Sequence, residues 1–140
     1  QVTGSLGRLG GGTVADRLPG TDVRANAVVL VVQAGGAAAC YVAVARVESP
    51  LAAAAVFAAL GAFILGFPGV FYGCMTALVP DERIGEATAA GQAVMNLGGL
   101  LSPPAFGYLA DTLSYDAGWL ALAGATLVAG LLAAWLARTN

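Results

Sequence analysis

The chain has 140 residues, of which 59% are hydrophobic and 10% charged, with a formal net charge of −2. An ordinary soluble domain carries about 25% charged residues, so the composition argues against that class of protein. All six basic residues are Arg, and the chain contains no Lys and no His. Nothing in this charge balance favours nucleic-acid binding, which requires a basic patch.

Charged residues leave four long gaps in the sequence. The gaps lie between Arg24 and Arg46, between Glu48 and Asp81, between Glu86 and Asp111, and between Asp116 and Arg138. Each gap reaches the roughly 20 residues that a helix needs to cross a bilayer, and a lone charge at the bilayer centre costs roughly 2.5–3.5 kcal/mol. The pattern therefore predicts an all-α, polytopic membrane helical bundle.

Four full transmembrane helices and a shorter N-terminal segment are predicted. The helices are expected near residues 25–45, 51–79, 84–110 and 117–137, after a helical stub over residues 1–16. Pro68 removes a backbone donor inside the second full helix and should kink it. Small residues should let the backbones approach closely; they are the pairs Gly7/Gly11 and Gly69/Gly73, with Gly91, Gly98 and Gly99.

Arginine placement predicts the orientation of the helices. Five arginines are separated by even numbers of crossings and therefore share one side of the membrane: Arg8, Arg17, Arg24, Arg83 and Arg138. Only Arg46 lies on the other side. The positive-inside rule then puts the C-terminus in the cytoplasm. We expect an integral, multi-pass protein of the cell membrane.

The N-terminal residues predict that the chain is a fragment. The first residue is Gln1 rather than Met, and Arg8 interrupts residues 1–15 without a long apolar run after it. This pattern is unlike a secretory signal. It is closer to the end of a helix whose start is missing, so we expect truncation at the N-terminus.

A glycine-rich segment, residues 7–18, reads G-R-L-G-G-G-T-V-A-D-R-L. Its part from Gly12 to Arg17 resembles the cytoplasmic signature of major facilitator superfamily transporters, G-x-L-a-D-R-x-G. That signature follows the second helix of the family and, in a looser copy, the eighth. Here Val14 replaces the usual Leu and the last glycine is displaced to Gly20, departures that fit the looser copy better.

The order of motifs downstream supports the same alignment. Residues 79–88, V-P-D-E-R-I-G-E-A-T, resemble the cytoplasmic loop before helix eleven of the family. Residues from Gly91 to Asp111 resemble helix eleven and its outer end. The stub would then be the end of helix eight, and the four full helices would be helices nine to twelve.

This resemblance implies a partial fold, the C-terminal part of a twelve-helix transporter in two six-helix halves. Substrate is expected between the halves near mid-membrane, with alternating access, as in other repeat-built transporters. The implied partners are the lipid bilayer, a small-molecule substrate and the missing N-terminal helices of the same transporter. No cofactor and no metal are expected.

Gly12, Asp16 and Arg17 are the first candidate site, because the resemblance implies a conformational latch for the cytoplasmic face. Asp16 can face the positive N-terminal end of a neighbouring helix, an interaction of about 0.3–1 kcal/mol. A contact made in only one state biases the equilibrium between states. The alternative is that Asp16 and Arg17 are ordinary solvated loop charges.

Polar residues recur along one face of the third full helix, which carries Thr88, Gln92, Asn96, Gly99 and Pro103 at steps of three or four residues. An amide in hydrocarbon needs either another helix or a wet cavity as its partner. Gln92 and Asn96 are therefore candidates for hydrogen bonding between helices or for lining a substrate path.

Tyr72 is the third candidate for the substrate path. It shares a face of the second full helix with Phe57, Gly61, Ile64, Pro68 and Met75. By resemblance this helix borders the central cavity, and simple packing of Tyr72 against its neighbours is the alternative. Gln33 is expected to satisfy a neighbour's backbone.

An intramembrane enzyme is the first rival interpretation, and the sequence opposes it. Metal hydrolysis needs His, and a Ser–Lys dyad or a Walker-type phosphate loop needs Lys, but the chain has neither. Asp16 and Asp111 are predicted at opposite membrane edges, which excludes an aspartyl dyad. The G-x-G-x-x-A match at residues 10–15 lacks a preceding strand and an acidic residue about 20 positions further on. Cys40 and Cys74 are expected to be small buried residues.

The second rival is a self-contained four-helix membrane protein, either a small exporter or a structural subunit. Small exporters of that size usually carry a glutamate inside the first helix, and no predicted helix here has an ionisable residue near its middle. The stub around Arg8 would also be unexplained. We favour small-molecule transport by the C-terminal fragment of a major facilitator secondary transporter.

Overall fold

The structure is a computed structural model and describes residues 20–139. It contains four α-helices: α1 is Asp22–Val44, α2 is Pro50–Ala77, α3 is Ile84–Thr112 and α4 is Tyr115–Thr139. A 3₁₀ turn, Asp81–Arg83, precedes α3. No strand occurs among the described residues, and the predicted all-α class is confirmed. The helix ends lie within a few residues of the predicted ones, whereas the stub over residues 1–16 lies outside the described part.

Local sequence explains where the helices begin. The hydroxyl of Thr21 accepts a hydrogen bond of 3.2 Å from the backbone N–H of Arg24, which is the usual N-cap arrangement. Pro50 occupies the first turn of α2, where its missing N–H costs no hydrogen bond. The hydroxyl of Ser114 accepts from the backbone N–H of Ala117 at 3.1 Å at the start of α4. These features fix the first turn of α1, of α2 and of α4.

The connections between the helices are short, so consecutive helices are antiparallel. An aromatic cluster lies at one end of the bundle. Trp119 of α4 stacks on Tyr41 of α1, with ring centroids 6.0 Å apart. Its ring also meets Phe57 of α2 at 5.9 Å and Phe106 of α3 at 4.9 Å, both edge-on. All four helices contribute to this cluster.

A second cluster, made of buried side chains, lies at the opposite end of the bundle. Val23 of α1 packs there with Cys74 of α2, and Leu136 of α4 lies against them. The arginines divide between the two ends in the predicted way: Arg24, Arg83 and Arg138 lie at the end marked by Val23, and Arg46 lies at the aromatic end.

Helix α1 is the central helix, and it packs most extensively on α4 and α2. Seven of its residues are buried: Val23, Ala25, Ala27, Val29, Gln33, Ala37 and Ala38. In contrast, Gly91 is the one buried residue of α3. Small side chains on α1 allow its neighbours to approach closely, and α3 lies at the margin of the described bundle.

Three of the described helices, α1, α2 and α4, are long and apolar enough to cross a membrane. Their outward faces carry large exposed hydrophobic side chains, among them Leu51, Leu131 and Trp135. Such apolar surface is compatible with lipid and not with water, as expected for a multi-pass integral membrane protein. Helix α3 is long enough, with 29 residues, but its polar stripe makes it less apolar, and its crossing stays a prediction.

The predicted small-residue contacts form at some positions and not at others. A Cβ on Gly73 would lie 3.1 Å from Oδ1 of Asn26, so α1 and α2 approach closely at this point. A Cβ on Gly69, Gly98 or Gly99 would have no neighbour within 4 Å in the described part of the chain. Helix α2 remains helical throughout its length with Pro68 inside it.

Gly118→Ala should destabilise the protein, because a Cβ at this position would lie 2.7 Å from the ring of Phe106. That ring is held edge-on by Trp119 at 4.9 Å, so it cannot move aside freely, and overpacking of this kind costs about 1–3 kcal/mol. Thermal unfolding of the purified protein in detergent measures the loss.

Gly124→Ala is the matched control on the same helix, because a Cβ there would meet nothing within 4 Å. Alanine is favoured over glycine inside a helix by roughly 0.5–1 kcal/mol, so this variant should be at least as stable as the parent. Equal melting temperatures for G118A and G124A would contradict the expected clash.

Candidate functional site

The three predicted substrate-path residues, Tyr72, Gln92 and Asn96, lie together between α2 and α3. The Tyr72 hydroxyl donates a hydrogen bond of 2.5 Å to Oε1 of Gln92. Nε2 of Gln92 in turn donates to Oδ1 of Asn96 at 2.8 Å. The three side chains thus form one continuous hydrogen-bonded series, which we call the polar chain.

Two different causes produce these two bonds. Gln92 and Asn96 are four residues apart on one helix, and side chains at that spacing are neighbours on the helix surface. The bond from Tyr72 to Gln92 connects residues of different helices, so it depends on how α2 packs against α3. The bond between Gln92 and Asn96 follows from the sequence, and the bond between Tyr72 and Gln92 follows from the fold.

Gly91 sets the close approach of α2 and α3 at this point. It is buried, and a Cβ on it would lie 2.6 Å from Sδ of Met75 and 3.2 Å from the ring of Phe71. The Phe71 ring contacts the Tyr72 ring edge-on, with centroids 5.7 Å apart. Packing around Gly91 therefore holds Tyr72 within reach of Gln92.

The polar chain is neutral and partly open. Gln92 and Asn96 are exposed, and Tyr72 is half-buried. Charged groups lie toward the two ends of α3: Nε of Arg83 bonds to Oε2 of Glu86 at 3.0 Å at its start, and Asp111 lies in its last turn. Amide and hydroxyl groups donate and accept hydrogen bonds. The arrangement can therefore bind a polar group.

The depth of the polar chain follows from helix geometry. Tyr72 is five residues before the end of α2 at Ala77, or about 8 Å along the axis. Asn96 is twelve residues after the start of α3 at Ile84, or about 18 Å along that axis. The polar chain therefore extends from near the α2–α3 turn toward the middle of α3.

The rest of the predicted stripe does not join the polar chain. The hydroxyl of Thr88 donates to the carbonyl of Ile84 at 2.8 Å, within its own helix. This back-bonding satisfies the hydroxyl without a partner helix. Gly99 and Pro103 share the helical face but contribute no side-chain hydrogen bond.

A cavity of about 630 Å³ lies elsewhere, between α1, α2 and α4. Ile64 and Met75, predicted on the same face of α2 as Tyr72, line this cavity, whereas Tyr72 does not. Phe57, another predicted member of that face, packs against Trp119 instead. Residues that the sequence predicts on one face of α2 therefore contact different neighbours.

Gln33 lines the same cavity. Its side chain is only 9% exposed, and its Oε1 has no hydrogen-bond partner among the described residues. The prediction that Gln33 satisfies a neighbour's backbone is wrong for this oxygen. The sequence analysis assigned this amide to a neighbour's backbone and gave no signal for the cavity.

The latch candidates Gly12, Asp16 and Arg17 lie outside the described residues. Within residues 20–139, no three His, Cys, Asp or Glu side chains group as ligands for a metal ion. Cys74 is buried and Cys40 is partly buried, and both are free thiols.

Comparison with known proteins gives one match. The family profile of the Major Facilitator Superfamily matches residues 1–140. Neither the curated proteins nor the solved structures contain a match to the chain. The family match covers the entire chain, including both helices that carry the polar chain.

Tyr72→Phe and Gln92→Leu should be energetically coupled, because the hydroxyl of one donates to the amide oxygen of the other. Coupling energies for such bonds in membrane proteins average about 0.6 kcal/mol and reach about 1.7 kcal/mol. A double-mutant cycle on the free energy of unfolding in detergent measures the coupling, which we expect to fall in this range.

The same cycle in a Gly91→Ala background tests the role of helix approach. A Cβ at Gly91 would press on the side chains of Met75 and Phe71, and we expect their displacement to weaken the coupling. Gly98→Ala is the matched control, since its Cβ would have no neighbour within 4 Å, and the coupling should persist. Equal coupling in both backgrounds would show that Gly91 does not position Tyr72.

Proposed function

The chain belongs to the Major Facilitator Superfamily, and we propose that it is the C-terminal part of a secondary transporter. Members of this family are transporters and not enzymes. In the proposed assignment, α1 to α4 are helices nine to twelve of a twelve-helix protein in the cell membrane. That protein moves a small molecule across the bilayer by alternating access.

The polar chain is the observation that carries the proposed substrate path. Gln92 and Asn96 are exposed on α3, and an amide facing hydrocarbon without a partner is destabilising. Their mutual hydrogen bond leaves further donor and acceptor positions on both amides unused. Water or a polar substrate group can occupy those positions, which supports a path along this face of α3.

Within the proposed transporter, each residue of the polar chain has a distinct role. Asn96, nearest the middle of α3, offers its amide to the substrate. Gln92 orients that amide through the 2.8 Å bond, and Tyr72 orients Gln92 from the neighbouring helix. All three are uncharged, so the substrate is recognised here through hydrogen bonds.

The proposed path is testable by thiol labelling of Asn96→Cys in a background that carries Cys40→Ala and Cys74→Ala. The thiolate attacks hydrophilic thiol reagents, and it forms readily only where water is present. In opened membranes we expect Asn96→Cys to react at least about tenfold faster than a cysteine facing lipid, since burial in apolar surroundings suppresses the thiolate.

Val94→Cys is the matched control for lipid exposure. Val94 is 67% exposed and lies two residues before Asn96, which places it on the opposite side of the helix. Similar slow labelling of both cysteines would mean that Asn96 faces hydrocarbon or another helix, and the path assignment would be wrong.

The same reagents test the proposed orientation in intact cells. Glu48 lies between α1 and α2, and Glu82 lies in the 3₁₀ turn before α3. With the C-terminus in the cytoplasm, an impermeant external reagent should modify Glu48→Cys and leave Glu82→Cys unmodified. The reverse pattern would invert the topology.

We also propose that Gly12, Asp16 and Arg17 form the cytoplasmic latch. A contact made only in the outward-open state stabilises that state. Asp16→Asn should therefore shift labelling of Asn96→Cys toward the cytoplasmic side in sealed vesicles. Unchanged sidedness would indicate that these residues are solvated loop charges.

The coding sequence upstream of Gln1 tests the proposal for the whole protein. We expect roughly seven further hydrophobic spans, in keeping with the lengths that bilayer crossing requires, and a stronger copy of the glycine-rich signature after the second. A start codon within a few residues of Gln1 would instead favour the self-contained four-helix protein.

A further inference from the structure

Two arginines lie at the same end of the bundle, on the two helices that pack most extensively on each other. Arg24 is two residues after the start of α1, and Arg138 is one residue before the end of α4. Leu136 lies at this end against the cluster that contains Val23. The interface between α1 and α4 is therefore closed directly beside both arginines.

The register of α1 against α4 places the two arginines at one level in the membrane. A Cβ on Gly130 of α4 would lie 3.1 Å from Cβ of Ala34 on α1, so these residues are opposite each other. Arg24 lies ten residues before Ala34, and Arg138 lies eight residues after Gly130 on the antiparallel helix. At 1.5 Å per residue the two levels differ by only about 3 Å. Both long side chains can therefore reach the same group.

Both arginines also lie on one flank of the α1–α4 interface, the flank away from the cavity. Gln33 and Ala129 line the cavity, and each lies nine residues from the arginine on its own helix. Nine residues bring an α-helix half a turn round beyond its full turns. Each arginine is therefore opposite the cavity on its helix, and the two share the other flank, which we call the arginine flank.

Neither arginine has an ion-pair partner among residues 20–139, where the ion pair is the one between Arg83 and Glu86. Asp22 is close to Arg24 in sequence, but it lies two residues earlier and so about 200° around the helix. Arg24 and Arg138 are both exposed. Two positive charges on the arginine flank are thus left without a counter-ion in the described part of the chain.

Deeper in the membrane the arginine flank is apolar and open. Leu131 and Leu127 lie seven and eleven residues before Arg138, within about 20° of its direction on α4, and both are exposed. A Cβ on Gly35, eleven residues after Arg24 on α1, would meet nothing within 4 Å. This surface can accommodate hydrocarbon chains.

Trp135 lies between the charged and the apolar parts of this surface. It is 65% exposed and lies three residues before Arg138, about 60° away around α4 and nearer the hydrocarbon. Trp side chains are enriched at the level where headgroups meet hydrocarbon. The surface therefore presents positive charge, then an indole, then apolar side chains, in the order of the phosphate, the ester region and the acyl chains of a phospholipid.

We propose that Arg24 and Arg138 together bind the phosphate of one anionic phospholipid, in the leaflet that faces this end of the bundle. Guanidinium groups bind phosphate oxygens through paired N–H donors, and basic sites between transmembrane helices bind anionic head groups. Two uncompensated positive charges favour a lipid with net negative charge, such as phosphatidylglycerol, over zwitterionic phosphatidylcholine. The acyl chains lie over Leu127 and Leu131. The site does not depend on the transport proposal.

Fluorescence quenching tests this assignment on the full chain reconstituted in vesicles of phosphatidylcholine and phosphatidylglycerol. The chain has two tryptophans, so Trp119→Phe leaves Trp135 as the reporter. A lipid with brominated acyl chains quenches this reporter on contact. Comparing brominated phosphatidylglycerol with brominated phosphatidylcholine at equal mole fraction gives the relative association constant of the two lipids.

We expect phosphatidylglycerol to bind roughly 25-fold more tightly, because each arginine near the membrane surface contributes about fivefold. Arg24→Gln and Arg138→Gln should each reduce this preference about fivefold, and the double variant should reduce it to about one. Quenching by brominated phosphatidylcholine should persist in all variants. Its persistence shows that Trp135 still faces lipid, which separates loss of recognition from loss of fold.

Arg83→Gln is the matched control at the same end of the bundle. Its guanidinium is already bonded to Glu86 at 3.0 Å, so this variant should keep the full preference for phosphatidylglycerol. Native mass spectrometry of the chain with both tryptophans is an independent measurement. It should show phosphatidylglycerol retained in preference to phosphatidylcholine, and the preference lost in the double variant.

Two outcomes would overturn the proposal. Equal association constants for the two lipids in the protein with both arginines would mean that the arginine flank recognises no anionic head group. A loss of preference in Arg83→Gln as large as that in Arg24→Gln would mean that the overall charge of this end attracts the lipid, and not the pair of Arg24 and Arg138.

Discussion

Hydrocarbon offers no hydrogen bonds, and this constraint explains where several polar side chains of the described helices find their partners. Thr88 and Thr126 satisfy their hydroxyls on carbonyls of their own helices. Tyr72 and Gln92 satisfy each other across two helices. The backbone meets the same demand by forming helices, which satisfy their N–H and C=O groups internally. Among the described residues, charges are confined to the connections and to the terminal turns of the helices for the same reason. The alternation of charged and charge-free segments produces the up-and-down bundle.

Association of these helices needs a different explanation, because lipid removes the hydrophobic driving force between them. Close backbone approach replaces it, and α1 illustrates how. Its buried face is made largely of alanine, so α2 and α4 can both pack against it. Gly73 meets Asn26 where α2 approaches α1, and Gly91 meets Met75 where α3 approaches α2. The second of these approaches also creates the bond between Tyr72 and Gln92, so packing and the candidate site share one cause.

Sequence alone predicted the features that depend on periodicity. Charge-free segments gave the helices, and the four-residue step from Gln92 to Asn96 gave a shared face, since both follow from helix geometry. Sequence could not predict that Tyr72 reaches Gln92, because that contact depends on the relative rotation and translation of two helices. It also treated one face of α2 as a single surface, whereas Ile64 faces the cavity and Tyr72 faces α3. The latch residues, Asp16 among them, lie beyond the described part, and their role rests on resemblance.

Gln33 and Gln92 show why residue type alone does not define a site. Both are amides in largely apolar helices, but the sequence analysis assigned Gln33 to a neighbour's backbone and Gln92 to bonding between helices or to a substrate path. Gln92 lies on the most exposed helix and obtains its partners from Tyr72 and Asn96. Gln33 lies on the most buried helix, between neighbours whose side chains along the cavity are almost all apolar, so its oxygen has no partner there. Exposure leaves the amide of Gln92 able to exchange its hydrogen-bond partners when the surroundings of α3 change.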